Sequence, residues 1–184
     1  MRWPWLTLAV FALTLLMVVA QTLNPDVLTA LQWNAAAVGE GEFWRILTGP
    51  FVHSNGWGQI ISNLTGLLLI GWLAEQQWSC RAWAAAAIAG VAAAEASAVW
   101  WYPVGGGISV LLGGLVGLLM VGWLFDRRLP PWFRFGVPVV YLLGAGYVVS
   151  LTDIHGPPVF AGALVGLVLL SDKRGPATAS GAEP

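Results

Sequence analysis

Apolar runs separated by short polar, tryptophan-, proline- or arginine-rich breaks dominate this chain. A membrane-spanning helix needs about 20 apolar residues. Six segments are candidates: 3–23, 60–74, 83–101, 106–125, 135–151 and 158–171. The last is short, roughly 20 Å at about 1.5 Å per residue. That length suits a helix that stops below the outer surface and leaves a wet depression above it. The stretch 24–58 is the longest that does not span. It mixes apolar runs such as Val27-Leu28-Thr29-Ala30-Leu31 with Trp33, Trp44 and Trp57, which predicts a partly membrane-embedded loop on the outer side. The segment 175–184 is small and polar, which predicts a disordered tail. Val18-Val19-Ala20 resembles a signal-peptide cleavage site, but the apolar stretch before it is long for a signal, so 3–23 is read as a retained helix. The pattern predicts an all-α polytopic membrane protein with one membrane domain, 1–174, followed by that tail.

Composition sharpens this picture. The chain has 184 residues, 58% apolar and 9% charged, with a mean hydropathy of +0.74; soluble domains carry about 25% charged residues. A net charge of -1 offers no reason to expect a nucleic-acid partner. Cys80 is the only cysteine, which excludes an internal disulfide and a cysteine metal cluster. The 12 tryptophans gather near segment ends, as in an interfacial aromatic belt. Arg2, Arg81, Arg127, Arg128, Arg134, Lys173 and Arg174 fall on one side of a six-helix arrangement, and Arg45 alone on the other. The positive-inside rule then predicts cytoplasmic termini.

Candidate chemistry centres on Ser109, inside Gly105-Gly106-Gly107-Ile108-Ser109-Val110-Leu111-Leu112-Gly113-Gly114. A hydroxyl just inside a bilayer and surrounded by glycine is a candidate nucleophile. Gly113 and Gly117 lie four apart, as do Gly162 and Gly166, a spacing that lets membrane helices approach closely. Packing alone is a sufficient use of either pair. Close approach would also bring side chains at the helix ends within the reach of about 2.6–3.2 Å that a serine–base pair needs.

Several strings resemble the rhomboid family of intramembrane serine proteases. Glu42-Phe43-Trp44-Arg45-Ile46-Leu47-Thr48-Gly49-Pro50-Phe51-Val52-His53 is similar to its outer-loop pattern. Gln59-Ile60-Ile61-Ser62-Asn63, with Gly71 and Glu75 downstream, resembles its second helix. Gly107-Ile108-Ser109 followed by Gly114 resembles its nucleophile motif, and Val159-Phe160-Ala161-Gly162 followed by Gly166 its last helix. The resemblance covers about 40–171 in the expected order. Short length, six helices and Trp101-Tyr102 before the glycine run are most similar to the rhombosortase branch. The resemblance implies a Ser–His dyad without metal or cofactor, working in a lipid bilayer on a membrane-anchored protein substrate, in a bacterial cytoplasmic membrane. It implies Ser109 as nucleophile and Asn63 as an oxyanion donor, with Trp44, Arg45, His53, Gly107, Gly114, Gly162 and Gly166 as motif positions. The rhombosortase likeness implies a substrate with a glycine-rich C-terminal segment and membrane anchor.

Three positions depart from the family pattern. Val110 replaces the glycine after the serine. Gln59 replaces the histidine one turn before Asn63, though its amide can still donate to an oxyanion. Val159 stands where the catalytic histidine belongs, and valine cannot accept a proton. His155 lies four residues earlier. Counted from Asp126 and Asp172 at the inner ends, Ser109 and His155 are each 17 residues away, roughly 25 Å if helical. The residues leave two alternatives: His155 acts as the base, or it is a loop histidine above a helix begun by Pro157 and Pro158, and the chain is an inactive relative that binds transmembrane helices. A small transporter is disfavoured by scarce intramembrane charge and the lack of a visible repeat.

Other residues have structural as well as functional readings. His53 is expected to hydrogen-bond backbone, and Arg45 to tie the outer loop or meet lipid phosphate. Glu95 is a functional candidate because an intramembrane carboxyl is costly, although near the outer end water or a buried hydrogen bond would also account for it. Asp153 is a candidate to orient His155, although nothing in the sequence shows it, and Glu75 is expected to make a contact on the cytoplasmic side.

Overall fold

The computed structural model describes residues 3–172; Arg2, Lys173, Arg174 and the 175–184 tail lie outside the described residues. Helix α1 (Trp5–Leu23) is followed by three short helices, α2 (Asp26–Leu31), α3 (Ala35–Gly39) and α4 (Trp44–Thr48). Five longer helices complete the chain: α5 (Gly56–Gln77), α6 (Cys80–Trp101), α7 (Ser109–Phe125), α8 (Pro131–Ser150) and α9 (Gly156–Asp172). The described residues thus hold nine helices, not six, because the 24–58 stretch folds into short helices of its own. Helices α1, α5, α6 and α8 are long and apolar enough to cross a membrane, whereas α7 and α9 are apolar but shorter.

Most helices begin earlier than hydropathy predicts. Helix α5 starts at Gly56, α6 at Cys80 and α8 at Pro131, because polar first turns are helical without being apolar. Ser79 caps α6 by accepting the Ala82 N–H at 3.2 Å, and Pro131 at the first turn gives up no intrahelical hydrogen bond. Helix α7 starts later than the apolar run, at Ser109, because Val104–Gly105 is a short strand, β2, paired antiparallel with β1 (Trp33–Asn34). That pairing fastens the 24–58 region to the segment entering α7.

The start of α1 is capped from far along the chain. The Glu75 carboxylate accepts the Leu6 N–H at 3.0 Å, the Thr7 N–H at 2.9 Å and the Thr7 hydroxyl at 2.7 Å. Unpaired backbone N–H groups are expensive in lipid, so this carboxylate has a structural role. A wider π turn at Leu67–Gly71 interrupts α5, and the Gly71 carbonyl accepts the Trp83 indole N–H at 3.1 Å.

The centre is α7, whose Leu111, Leu112, Leu115, Leu118, Leu119 and Met120 are buried. Helices α6 and α9 press against it through small residues. A methyl group on Gly114 would run into the Ala86 carbonyl, one on Gly117 into the Val159 carbonyl, and one on Gly162 into the Gly114 carbonyl. Both glycine pairs therefore lie in the seam between α7 and its neighbours. Only Pro138 and Ala145 are buried on α8, which lies at the periphery.

The 24–58 region is held by its own polar contacts. Arg45 donates to the Glu42 carboxylate at 2.6 Å and to the Thr29 and Gln32 carbonyls at 2.8 and 3.0 Å. Thr48 donates to the Leu31 carbonyl at 2.7 Å, and the Asn34 side chain caps α3.

Candidate active site

Helix α7 opens at Ser109 because the chain before it cannot be helical. Gly107 has φ +147°, a conformation that favours glycine, and a side chain there would run into the Gln59 amide. Ile108 then accepts the first helical bond, from the Leu112 N–H at 3.0 Å. Ser109 is thus the first residue of a helix whose leading N–H groups have no intrahelical acceptor and carry partial positive charge.

The turn between α8 and α9 delivers a histidine to that serine. Thr152 adopts φ +57°, an uncommon left-handed conformation for a non-glycine residue, and the chain reverses over Leu151–Ile154. His155 Nε2 lies 3.1 Å from Ser109 Oγ. On the other side of the ring, Nδ1 lies 2.6 Å from Asp153 Oδ1, and the same oxygen accepts the His155 backbone N–H at 2.9 Å. A carboxylate only accepts, so Nδ1 carries the proton toward Asp153. That tautomer leaves Nε2 with its lone pair for the serine hydroxyl. Partial burial pushes the Asp153 carboxyl up, but the hydrogen bonds from the His155 backbone and ring outweigh it and hold it below the usual carboxylate range.

Val159 has a different place. It is buried one turn further along α9, with its carbonyl against Gly117 in the helix seam. The position where the family pattern has its histidine is thus a packing position in this chain, and the imidazole beside Ser109 comes from the turn residue. Val110 is also buried and lines the same cavity as Ser109.

Gln59 and Asn63, four apart on α5, both approach Gly107. Gln59 Nε2 donates to the Gly106 carbonyl at 2.9 Å, and its Oε1 accepts the Asn55 N–H at 3.0 Å. Asn63 Nδ2 is buried and has no hydrogen-bond partner among the described residues, which leaves an unpaired donor beside Gly107. Ser54, which the sequence did not single out, takes the Gly106 N–H at 3.2 Å. A cavity of about 310 Å³ is lined by Ser109, His155, Asp153, Gln59 and Ser54 together with Glu95, Ala98 and Val110, and Asn63 lies behind Gly107 rather than on its wall.

The remaining motif residues stand apart from this cluster. Trp44 donates to the Ala30 carbonyl at 3.3 Å, and Arg45 ties its loop as described. His53 is only 1% exposed. The expected ring-to-backbone hydrogen bond is not formed: both ring nitrogens lack a partner among the described residues. Its backbone is instead held by Gln21, which accepts the His53 N–H at 2.9 Å and donates to its carbonyl at 3.0 Å. Burial lowers the His53 pKa to about 4, which keeps the ring neutral near pH 7.

Residues 40–171 match the Rhomboid domain. No curated protein matches the sequence. The matched region takes in α4 and every residue of the cluster, from Gln59 and Asn63 through Ser109 to Asp153 and His155. With its apolar helices and this match over more than half of its length, the chain is a multi-pass integral membrane protein and belongs to the rhomboid family.

Proposed function

We propose that this chain is a serine endopeptidase that hydrolyses a peptide bond of a membrane-anchored protein near the outer membrane face. The carrying observation is the 3.1 Å approach of His155 Nε2 to Ser109 Oγ, within the reach required of a nucleophile and its base. Ser109 Oγ attacks the scissile carbonyl carbon while His155 Nε2 takes the hydroxyl proton. The proton then passes to the leaving amine as the C–N bond breaks. Water, activated by the same imidazole, hydrolyses the acyl ester and restores the serine. Asp153 keeps the ring in its productive tautomer. Asn63 Nδ2, with Gln59 and the leading N–H groups of α7, stabilises the negative oxygen formed by the attack.

The reading includes six membrane crossings, cytoplasmic termini and a bacterial cytoplasmic membrane, with 1–174 as the membrane domain. Helices α7 and α9 have 17 residues each, about 26 Å against a hydrocarbon core of about 30 Å. Their ends at Ser109 and His155 would therefore lie below the surface in a depression that water reaches. The substrate is a rhombosortase-type one, with a glycine-rich C-terminal segment and membrane anchor; Trp101-Tyr102 before the glycine run supports that branch.

The second reading is an inactive relative that binds transmembrane helices, and Val159 favours it. Fluorophosphonate labelling of the full chain in detergent separates the two. Labelling of the wild type that disappears in Ser109→Ala and His155→Ala supports the protease. A folded wild type that resists labelling supports the binding protein.

A further inference from the structure

Two carboxyls are deeply buried in this helical bundle, and they are treated differently. Glu75 is 4% exposed and accepts three hydrogen bonds at the start of α1. Glu95 is 8% exposed, and its Oε1 has no partner among the described residues. A buried polar group without a partner is costly, more so on a membrane helix. Packing gives no reason for it either, since its α6 neighbours Ala94 and Ala98 are the small residues that a helix seam requires.

Glu95 lines the cavity that contains Ser109. Helix α6 meets α7 at Gly90, where a methyl group would come within 2.8 Å of the Val110 carbonyl. Five residues further along α6, roughly 7.5 Å, Glu95 reaches the level where α7 begins. The acidic residues lining the cavity are Glu95 and Asp153, and no lysine or arginine lines it. Asp153 is occupied by His155. Arg45, on α4, is bonded to Glu42, Thr29 and Gln32. The cavity therefore presents a carboxyl whose Oε1 is unpaired among the described residues, on a wall of Ala94, Ala98 and Val110.

We infer that Glu95 is a specificity-determining residue that selects a lysine or arginine side chain at the substrate residue whose carbonyl Ser109 attacks. The aliphatic stem of such a side chain packs on the alanine and valine wall while its charged head pairs with the carboxylate. The inference rests on the protease reading for the identity of the attacked residue, but the preference of the cavity for a cation does not depend on turnover.

The test uses the full chain in an uncharged detergent and two peptidyl diphenyl phosphonates that differ only in lysine or norleucine at the residue bearing phosphorus. Wild-type Ser109 should react about tenfold or more faster with the lysine probe, since a buried charge pair contributes at least that much discrimination. In Glu95→Gln the ratio should fall to about one. Taking the ratio within each protein cancels any general loss of reactivity. Equal or faster labelling by the norleucine probe in the wild type overturns the inference, as does a lysine preference that survives in Glu95→Gln. A second measurement is independent of catalysis: equilibrium binding of a lysine-ending and a norleucine-ending peptide to Ser109→Ala. Tighter lysine binding that Glu95→Gln abolishes upholds the subsite even where fluorophosphonate labelling fails. Equal or weaker lysine binding overturns it.

Discussion

Ser109 Oγ and His155 Nε2 lie 3.1 Å apart across 46 residues, one at the first position of α7 and the other in the turn before α9. Val159, one helical turn from His155, is buried in the seam behind them. The imidazole beside Ser109 thus comes from one turn before position 159, carried there by the short α8–α9 turn.

This arrangement predicts that Val159→His does not rescue His155→Ala. A ring at position 159 would have to enter the α7–α9 seam, where overpacking typically costs about 1–3 kcal/mol. The double variant should melt lower than His155→Ala in detergent and remain unlabelled by fluorophosphonate. Restored labelling would show that the seam opens to admit a base.

Asp153→Asn should preserve the backbone turn yet reduce the labelling rate roughly 100-fold or more, because an amide no longer fixes the tautomer that leaves Nε2 free. The folded carboxyl is held below its ordinary value, so its contribution is fully present above about pH 4 and is lost only as pH falls through the lower folded value. Acidification from pH 7 to 5 should therefore leave Asp153 ionised, as carboxyl carbon chemical shifts would register.

Asn63 and Gln59 should separate activity from stability. Asn63 Nδ2 has no partner to lose, so Asn63→Ala should lower turnover about 10²–10³-fold with little change in melting temperature. Gln59→Ala removes bonds to Gly106 and Asn55, so it should destabilise the fold as well, by roughly 1–3 kcal/mol. A large drop in the melting temperature of Asn63→Ala would instead make that amide a structural group.

His53 predicts a pH dependence of stability. Its folded pKa of about 4 lies below the ordinary 6.5, so the unfolded chain binds the extra proton first. This contribution is complete above pH 6.5 and is lost as pH falls from 6.5 toward 4, by on the order of 3 kcal/mol. Melting temperature should fall over that window in the wild type and vary less in His53→Gln. An unchanged slope in the variant would assign the acid sensitivity elsewhere.

Much of the bundle was legible along the chain, because a spanning helix satisfies its backbone internally and needs only a local run of apolar residues. The glycine pairs announced close approach for the same reason: room for a neighbouring backbone depends on the residue's own missing side chain. The three short helices were not legible, since α2, α3 and α4 are held by contacts from Arg45, Thr48 and Asn34 to carbonyl and amide groups rather than by periodicity. The candidate site divides in the same way. Ser109 and Asn63 stood out by residue type within glycine-rich and amide-bearing motifs, whereas the Asp153–His155 contact became visible only in the folded turn. Whether position 155 or 159 meets the serine could not be read from spacing, since both lie near the same helix start. Tertiary structure decided it: the glycine seam draws α9 against α7 so closely that residue 159 is buried in the contact, while the left-handed turn at Thr152 leaves residue 155 at the cavity mouth, facing Ser109.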